Sequence, residues 1–305
     1  MSHHESALKA QFYLTAPQPC AYLDGREERK VFTTLQGPNA VGVNNALSLK
    51  GFRRSQSVIY RPACVGCSAC MSIRIPVADF TPRRTQRRLI RRNADLGVRT
   101  CEAWATEAQF ALFRRYLDDR HASGGMADMD AFDYAAMVDE TPVNSVVVEY
   151  TADAAAPDFA PIPEPEPSVL PGPDDAACRS GGCASARAGE TGETGLPRNR
   201  LVACCLSDIL ADGLSMVYSF FEPGARSRSL GAFMILDHVR IAREMGLPYV
   251  YLGYWVAGSP KMHYKVGYRP FELCDGATWR RFNGLDEYRA WRARRAGENR
   301  DPLVD

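Results

Sequence analysis

A segment rich in proline, glycine and alanine divides the chain into two parts that can each bury apolar side chains. Of the 49 residues at 151–199, 24 are Pro, Gly or Ala, and Phe159 is the only aromatic residue. Such a composition cannot bury enough apolar surface to offset the entropy lost on ordering. We therefore expect a disordered insertion between two antiparallel strands at 145–150 and 201–206, because a strand connection tolerates extra length at small entropic cost.

The composition of the whole chain excludes several classes of protein. With 305 residues, 46% of them hydrophobic and 24% charged, the chain cannot be wholly disordered, collagen-like or a pure coiled coil. No run of about 18 apolar residues predicts a membrane span. Residues 1–10 lack the apolar core of a secretion signal. We expect a cytoplasmic protein with no membrane partner.

The apolar pattern predicts a mixed α/β protein. Residues 12–80 show turns and short strands, whereas 81–140 look helical. The predicted helices cover 81–95, 107–121, 129–138, 230–245 and 285–295, and further strands cover 213–221 and 248–255. A strand, a helix and a strand within about 42 residues are typical of a parallel crossover in an α/β sheet.

Positive charge is concentrated in one part of the chain. Residues 50–100 hold 12 Lys and Arg against two Asp, a net of +10 in a chain whose total is +1. Thr81 and Pro82 would begin the first predicted helix. Its arginines form two adjacent rows on one face, Arg83, Arg87 and Arg91 in one row and Arg84, Arg88 and Arg92 in the other. Like charges at this spacing repel in a free helix, and bound phosphates would reverse that effect. The pattern favours nucleic-acid binding over the alternative, a solvated basic face.

Three of the ten cysteines are spaced as Cys64-x2-Cys67-x2-Cys70, and Cys20 lies far upstream. Four thiolates suit tetrahedral zinc or a four-iron cluster, and the spacing does not decide between the two. The alternative is a set of buried or redox-reactive free thiols. We expect a metal site at these four cysteines.

Both parts of the chain contain short motifs of a recognisable kind. In the N-terminal part they are Cys20-Ala-Tyr-Leu23, Gly51-Phe-Arg-Arg-Ser55, Tyr60-Arg-Pro-Ala-Cys64 and Phe80-Thr-Pro82. In the C-terminal part they are Asp212 to Phe221, Arg228-Ser-Leu-Gly231, Tyr251-Leu-Gly-Tyr254, Ser259-Pro-Lys-Met262 and Tyr264-Lys265. In this order, over about 12–150 and 200–275, the motifs resemble those of the aminoacyl-tRNA–protein transferases of the arginyltransferase superfamily, most of all the bacterial aspartate/glutamate leucyltransferases.

The resemblance implies both an architecture and a reaction. It implies an α/β (α+β) protein with a smaller cysteine-containing N-terminal domain and a GNAT-like C-terminal domain. We accordingly divide the chain into 1–80, then 81–150 with 200–284, the insertion 151–199, and a helix and tail at 285–305. The implied reaction is the transfer of leucine from leucyl-tRNA to the N-terminal amine of proteins that begin with Asp or Glu, which marks them for degradation through the N-end rule pathway.

The chain departs from related patterns at two places. The insertion is not part of the family core. The loop Arg228-Ser-Leu-Gly231 only partly resembles the pyrophosphate loop of acetyl-CoA enzymes, because Phe233 stands where a small residue is expected. We therefore expect no CoA, and we expect a nucleic-acid phosphate near Arg228, at the start of the following helix.

The implied reaction needs binding groups for an acidic acceptor and groups that assist ester aminolysis. Arginine binds carboxylates through two parallel hydrogen bonds, so we expect an acceptor clamp among Arg53, Arg54, Tyr60 and Arg61. Salt bridges within the protein or further tRNA contacts are the alternatives. An α-amine has a pKa near 7.7–8.0, so orientation and oxyanion stabilisation should contribute more than a strong base. The candidate catalytic residues, each with a structural alternative, are Tyr218, Glu222, Tyr254, Lys261 and His263.

Three other functions compete with leucine transfer. Arginine could be the donor amino acid within the same family. An acyl-CoA N-acetyltransferase is disfavoured by the imperfect CoA loop. A non-catalytic RNA-binding protein with zinc or an iron–sulfur cluster would leave the C-terminal motifs unexplained.

Overall fold

The N-terminal part of the chain forms a small four-stranded sheet. The computed structural model describes residues 10–120, 126–153, 155–156, 158–159, 199–276 and 278–298. The first elements are β1 (Tyr13–Leu14), β2 (Gln18–Pro19), β3 (Glu27–Glu28), β4 (Lys30–Thr34), α1 (Ala40–Ser48), β5 (Arg53–Ser55) and β6 (Val58–Pro62). The sheet has the order β1-β4-β6-β5, and β2 pairs with β3. Ile59 and Phe52 are buried in the apolar cluster that joins this sheet to α1.

The larger part of the protein is an eight-stranded mixed sheet with helices packed against it. Its elements are β7 (Cys70–Pro76), α2 (Arg84–Arg92), β8 (Gly97–Glu102), α3 (Glu107–Arg120), α4 (Ala131–Asp139), β9 (Ser145–Asp153), β10 (Asn199–Leu210), β11 (Gly213–Phe221), α5 (Leu230–Glu244), β12 (Tyr249–Val256), β13 (Phe271–Cys274), β14 (Trp279–Phe282) and α6 (Leu285–Glu298). Short 3-10 helices cover Arg226–Arg228 and Pro260–Gly267. The strand order is β14-β13-β7-β12-β11-β10-β9-β8.

The predicted crossover and the predicted hairpin are both confirmed. Strands β11 and β12 run parallel, with α5 between them, and β9 and β10 are antiparallel. Helix α5 buries Leu230, Met234 and Ile241 against the sheet. The α/β (α+β) class is therefore confirmed. Within the described ranges, none of the helices has the length and apolar character needed to cross a membrane.

Strand β7 ties the two parts of the chain together. It belongs to the predicted N-terminal domain 1–80, yet it lies between β12 and β13 in the large sheet. Helix α6 packs Tyr288 and Trp291 onto the same apolar core. The domain boundaries stay a prediction. Strand β7, however, belongs to the large sheet although its sequence lies within the predicted N-terminal domain.

The first residues of the predicted insertion belong to the fold. Strand β9 continues through Asp153, and β10 already begins at Asn199. The Phe159 ring is buried, with the guanidinium carbons of Arg200 and Arg228 each 5.5 Å from its centre. The remainder of the predicted insertion, 160–198, lies outside the described residues.

Helix α2 is shorter than its arginine pattern predicts. The predicted start at Thr81 is wrong, because Arg83 is the N-cap residue, and the helix begins at Arg84. The side chain of Gln86 causes this shift by accepting a 2.8 Å hydrogen bond from the Arg83 backbone amide. At the other end, the Asn93 side chain donates to the carbonyls of Leu89 and Arg228, both at 3.0 Å, which anchors the helix to the loop before α5.

A neutral histidine lies in the core beneath the large sheet. His238 of α5 is fully buried, and its Nδ1 donates to the Met234 carbonyl at 2.7 Å. Its Nε2 is then free to accept from the Ser207 hydroxyl at 3.0 Å. Burial lowers the pKa of His238 to about 4. The imidazole therefore folds in its uncharged form.

This histidine should make the protein less stable in mild acid. The unfolded chain takes up the proton near pH 6.5 and the folded one only near pH 4, so the free energy of unfolding falls as the pH drops between these values. The contribution of this one group is about 3 kcal/mol. Denaturant unfolding at pH 7 and pH 5 should show a smaller pH dependence for His238→Gln than for the wild type.

The exposed His263 provides the control for that measurement. His263→Gln should retain the pH dependence of the wild type, because this side chain is exposed in the folded protein. Equal pH dependence in the wild type and in His238→Gln would contradict the assignment.

Candidate functional site

Strands β11 and β12 separate soon after they begin, which opens a wedge in the middle of the large sheet. Within the described residues they pair only from Gly213 with Tyr249 to Ser215 with Tyr251. Each strand is also irregular just beyond that point. Strand β11 has an extra residue, Val217, relative to β10, and β12 shifts its register against β7. Bulges of this kind redirect backbone groups and are common beside active sites.

Arg53 of β5 fills part of this wedge. Its Nη2 donates a 2.5 Å hydrogen bond to the carbonyl of Val217 on β11. On the other side, its guanidinium lies against Gly253 of β12, whose φ of +74° favours glycine. A Cβ at position 253 would collide with the guanidinium. Arg53 thus bridges two strands that no longer pair with each other.

Lys265 of the second 3-10 helix satisfies the carbonyls that β12 leaves unpaired. Its Nζ donates to the carbonyls of Leu252 and Tyr254 at 2.8 and 2.7 Å. The side chain is buried, and burial together with the nearby Arg53 lowers the pKa of Lys265 to about 7. Two cations therefore lie in the wedge, and no carboxylate among the described residues forms a salt bridge with Arg53 or Lys265.

Lys265 lies in a motif that carries the family resemblance, but no sequence pattern predicted a role for it. A signal was present nearby. Gly253 interrupts a strand of bulky residues, and an isolated glycine in a strand indicates a bulge or the close approach of another group. The sequence gives no indication of which cation approaches it.

The four residues of the predicted acceptor clamp have different surroundings. Arg53 and Tyr60 line a cavity of about 410 Å³ beside the wedge. Arg54 contacts the same cavity, but its guanidinium is buried and donates through Nε and Nη2 to the two carboxylate oxygens of Asp208, both at 2.6 Å. This guanidinium is engaged within the protein, as the structural alternative expected. Arg61 lines a different cavity of about 770 Å³ and donates to the Gly276 carbonyl at 2.9 Å.

Two of the predicted catalytic residues are held inside the protein. The carboxylate of Glu222 is buried and accepts hydrogen bonds from Arg200 at 2.8 Å and from Arg115 at 3.3 Å. The hydroxyl of Tyr254 is buried and lies within 3.0 Å of the carbonyls of Gly51 and Tyr60. Both residues hold neighbouring elements together, and neither has a free polar atom directed at the cavity beside Arg53.

The other three predicted catalytic residues are more accessible. Tyr218 is half-buried and lines the cavity that Arg53 lines. Burial raises the pKa of its hydroxyl, so this group remains a hydrogen-bond donor at neutral pH. Lys261 and His263 are exposed on the 3-10 helix that carries Lys265. The structure does not bring the five predicted residues together at one point.

The arginine face of α2 is exposed. Arg84, Arg88 and Arg91 form no hydrogen bond or salt bridge within the described part of the chain and point into solvent. The other predicted arginines of this helix make contacts with carbonyls: Arg83 donates to Gly267, Arg87 to Pro82 and Arg92 to Ser227. Among the described residues, three guanidinium groups of this face therefore remain free. The other three arginines hold the helix in place through their contacts with carbonyls.

Arg228, the predicted tRNA-binding residue outside α2, is buried. Its Nη1 and Nη2 donate to the carboxylate of Asp95 at 2.6 and 2.9 Å, and its Nε donates to Asp158 at 2.7 Å. Two carboxylates outweigh its charge, so Arg228 positions the loop before α5 and has little left to offer a phosphate. It nevertheless borders a cavity of about 740 Å³ together with Arg91 and Arg92.

The four predicted metal ligands lie around one small cavity of about 80 Å³. Cys20, Cys64, Cys67 and Cys70 are all half-buried free thiols. Burial raises the pKa of the Cys70 thiol to about 12, and the neighbouring thiols add to the shift. In the described ranges, however, no group of three or more Cys, His, Asp or Glu side chains is arranged to hold a metal ion. Four thiols are the type of ligand that zinc or an iron–sulfur cluster takes, but here the thiols are not arranged around a common metal position. The metal stays a prediction.

Comparisons with known proteins agree with the sequence motifs. Family models described as the N terminus and the C terminus of arginine-tRNA-protein transferase match residues 18–88 and 186–275. A protein of Cereibacter sphaeroides named aspartate/glutamate leucyltransferase is 52% identical over 288 residues, which cover 94% of this chain and 89% of that protein. A protein of the same name from Dinoroseobacter shibae is 52% identical over 277 residues, covering 90% and 85%.

Solved structures resemble this chain only distantly. The crystal structure of FemX has a TM-score of 0.40 and 11% sequence identity, and the match covers 74% of this chain and 62% of that one. The C-terminal domain of a putative lysylphosphatidylglycerol synthetase from Agrobacterium fabrum has a TM-score of 0.38 and the same identity, with 87% and 71% covered.

The contact between Gly253 and Arg53 can be tested by substitution. Gly253→Ala should lower the free energy of unfolding by at least about 1 kcal/mol more than Gly246→Ala. Both positions have a φ near +70°, so both variants carry the same backbone strain, but only at 253 would the new Cβ displace a side chain. Chemical denaturation of both variants measures the difference.

The same comparison in an Arg53→Ala background provides the control. Removing the guanidinium should make the two glycine substitutions equally costly. A difference that persists without Arg53 would contradict the proposed contact.

Proposed function

Because the chain belongs to the arginine-tRNA-protein transferase family, we propose that it transfers leucine from leucyl-tRNA to the N-terminal α-amine of proteins that begin with Asp or Glu. The observation that carries this proposal is the 52% identity, over 94% of the chain, to a protein named aspartate/glutamate leucyltransferase. The family makes the protein an aminoacyltransferase, so its substrates are an aminoacyl-tRNA and a protein. Leucine as the donor and an acidic first residue as the acceptor are the finer part of the proposal.

The reaction needs little chemical assistance beyond positioning. The nitrogen of the acceptor α-amine attacks the carbonyl carbon of the aminoacyl ester. A C–N bond forms, the C–O bond to the terminal ribose breaks, and the proton lost by the amine ends on the ribose oxygen that leaves. Because an α-amine titrates near pH 7.7–8.0, part of it is already neutral at pH 7. Alignment of amine and ester, and donors for the oxyanion, then supply most of the acceleration.

Arg53 is the best candidate for binding the acceptor carboxylate. Among the arginines predicted for this role, Arg54 already pairs with Asp208, and Arg61 lines another cavity. Arg53 has only the Val217 carbonyl as a hydrogen-bond partner, so its charge is not neutralised within the described residues. An acidic first residue would supply the missing carboxylate, whereas a lysine or arginine there would be repelled. Tyr218 and Tyr60, which line the same cavity, are the nearest candidate hydroxyl donors.

The exposed arginines of α2 are the proposed contact for the tRNA backbone. Three guanidinium groups without protein partners lie on one helix, and the cavity beside Arg91 and Arg92 continues this surface towards α5. Phosphate contacts would relieve the repulsion between these like charges. Such contacts carry no base information, so they provide affinity and orientation and leave the choice of tRNA to other contacts.

A transfer assay tests the proposed function. The purified protein is incubated with leucyl-tRNA or arginyl-tRNA and with peptides that begin with Asp, Glu, Lys or Ala. We expect leucine to be transferred to the Asp and Glu peptides and to neither of the others. Transfer from arginyl-tRNA alone would favour the arginyl alternative, and no transfer from either tRNA would favour a non-catalytic RNA-binding protein.

Charge reversal tests the tRNA surface. The double variant Arg84→Glu/Arg88→Glu should raise the KM for leucyl-tRNA about tenfold or more near physiological salt, because two phosphate contacts are lost. The slope of log KM against log salt concentration should fall by about two. The KM for the acceptor peptide should not change.

A control variant on α6 carries the same change of charge. Arg289→Glu/Arg294→Glu alters two exposed arginines on a helix outside the proposed tRNA surface. An equal rise in the KM for leucyl-tRNA in both double variants would mean that only the total charge matters, and the α2 assignment would then be wrong.

A further inference from the structure

The cavity of about 410 Å³ beside Arg53 has an apolar wall that the acceptor clamp does not explain. The wall is formed by Met126 and Met129, which precede α4, by Met137 of α4, and by Leu206 and Val217 of the neighbouring strands. Met126 and Met129 are half-buried, so their side chains are partly open to a ligand. Thioether side chains are flexible and adapt to the shape of an apolar group.

Arg53 opposes a cationic ligand in its part of this cavity. The carboxylate of Asp208 neutralises Arg54, and the other carboxylate at the cavity, that of Asp133, is exposed and accepts a hydrogen bond from the Asp130 amide at the start of α4. Arg53 is the remaining cation at the cavity, and no carboxylate among the described residues pairs with it. A neutral apolar group fits such a site, whereas a second guanidinium would be repelled.

We propose that this cavity receives the leucyl side chain of the donor and thereby sets which amino acid is transferred. The proposal rests on the transfer reaction above. The methionine wall contacts the isobutyl group, and Arg53 disfavours an arginyl side chain at the same place. Val217 belongs both to the cavity and to the wedge, so the proposed donor site adjoins Arg53, the proposed acceptor-binding residue.

Variants of Met129 and Met126 test this assignment. The activities of Met129→Ala and Met126→Ala are measured with leucyl-tRNA and phenylalanyl-tRNA, on one Asp-initiated peptide. Because the enlarged cavity loses contacts with leucine and gains room for a larger side chain, the ratio of kcat/KM for leucine over phenylalanine should fall at least tenfold. The KM for the peptide should stay unchanged. The conservative variant Met129→Leu should keep the wild-type ratio.

Met245→Ala is the matched control, since this exposed methionine at the end of α5 does not line the cavity. It should retain the donor ratio of the wild type. Thermal unfolding of each variant shows whether it is folded, and only folded variants enter the comparison with Met129→Leu.

The outcomes separate this proposal from the proposed function. A wild type that transfers no amino acid would overturn the function itself. Leucine transfer by the wild type, with an unchanged donor ratio in both alanine variants, would overturn only the donor cavity. A raised KM for the peptide without a change in donor ratio would also overturn it, and would assign the methionine wall, like Arg53, to the acceptor.

Discussion

Strands β11 and β12 share a ladder over three residue pairs and then part, so the carbonyls beyond that point need other donors. A buried carbonyl without a donor costs about 1–3 kcal/mol, which makes the separation stable only if something replaces the ladder. Arg53 provides the donor for β11, and Lys265 provides two for β12. The cavity, the bulge at Val217 and the positive φ of Gly253 all depend on this replacement.

The replacement brings positive charge into the interior without the usual counter-charge. Buried cations in proteins are normally paired, as Arg54 is with Asp208 and Arg228 is with Asp95. Arg53 and Lys265 instead donate to backbone carbonyls, which hold them in place and leave the Arg53 guanidinium without a carboxylate partner among the described residues. An anionic substrate can supply that counter-charge, so the features that hold the sheet open are compatible with the proposed acidic acceptor.

The sequence predicted the fold better than it predicted the site. The apolar pattern defined β11, α5 and β12 to within a residue or two, because each of them is buried or half-buried along most of its length. Helix α2 was predicted too long. Its first residue depends on the side chain of Gln86, which caps the N-terminus, and not on apolar periodicity. Arginines in the sequence could be counted, but not sorted into paired and unpaired ones. That sorting depends on Asp208, which is 154 residues from Arg54 along the chain.

The central position of β7 has a consequence for how the protein can be made. Strand β7 ends at Pro76, but both of its neighbours, β12 and β13, come more than 170 residues later. During synthesis β7 must therefore wait with both edges unpaired until most of the chain has left the ribosome. Contacts this distant in sequence slow folding, and exposed strand edges invite pairing with other chains. The order of translation thus makes the newly synthesised N-terminal part dependent on chaperones or on rapid completion of the chain.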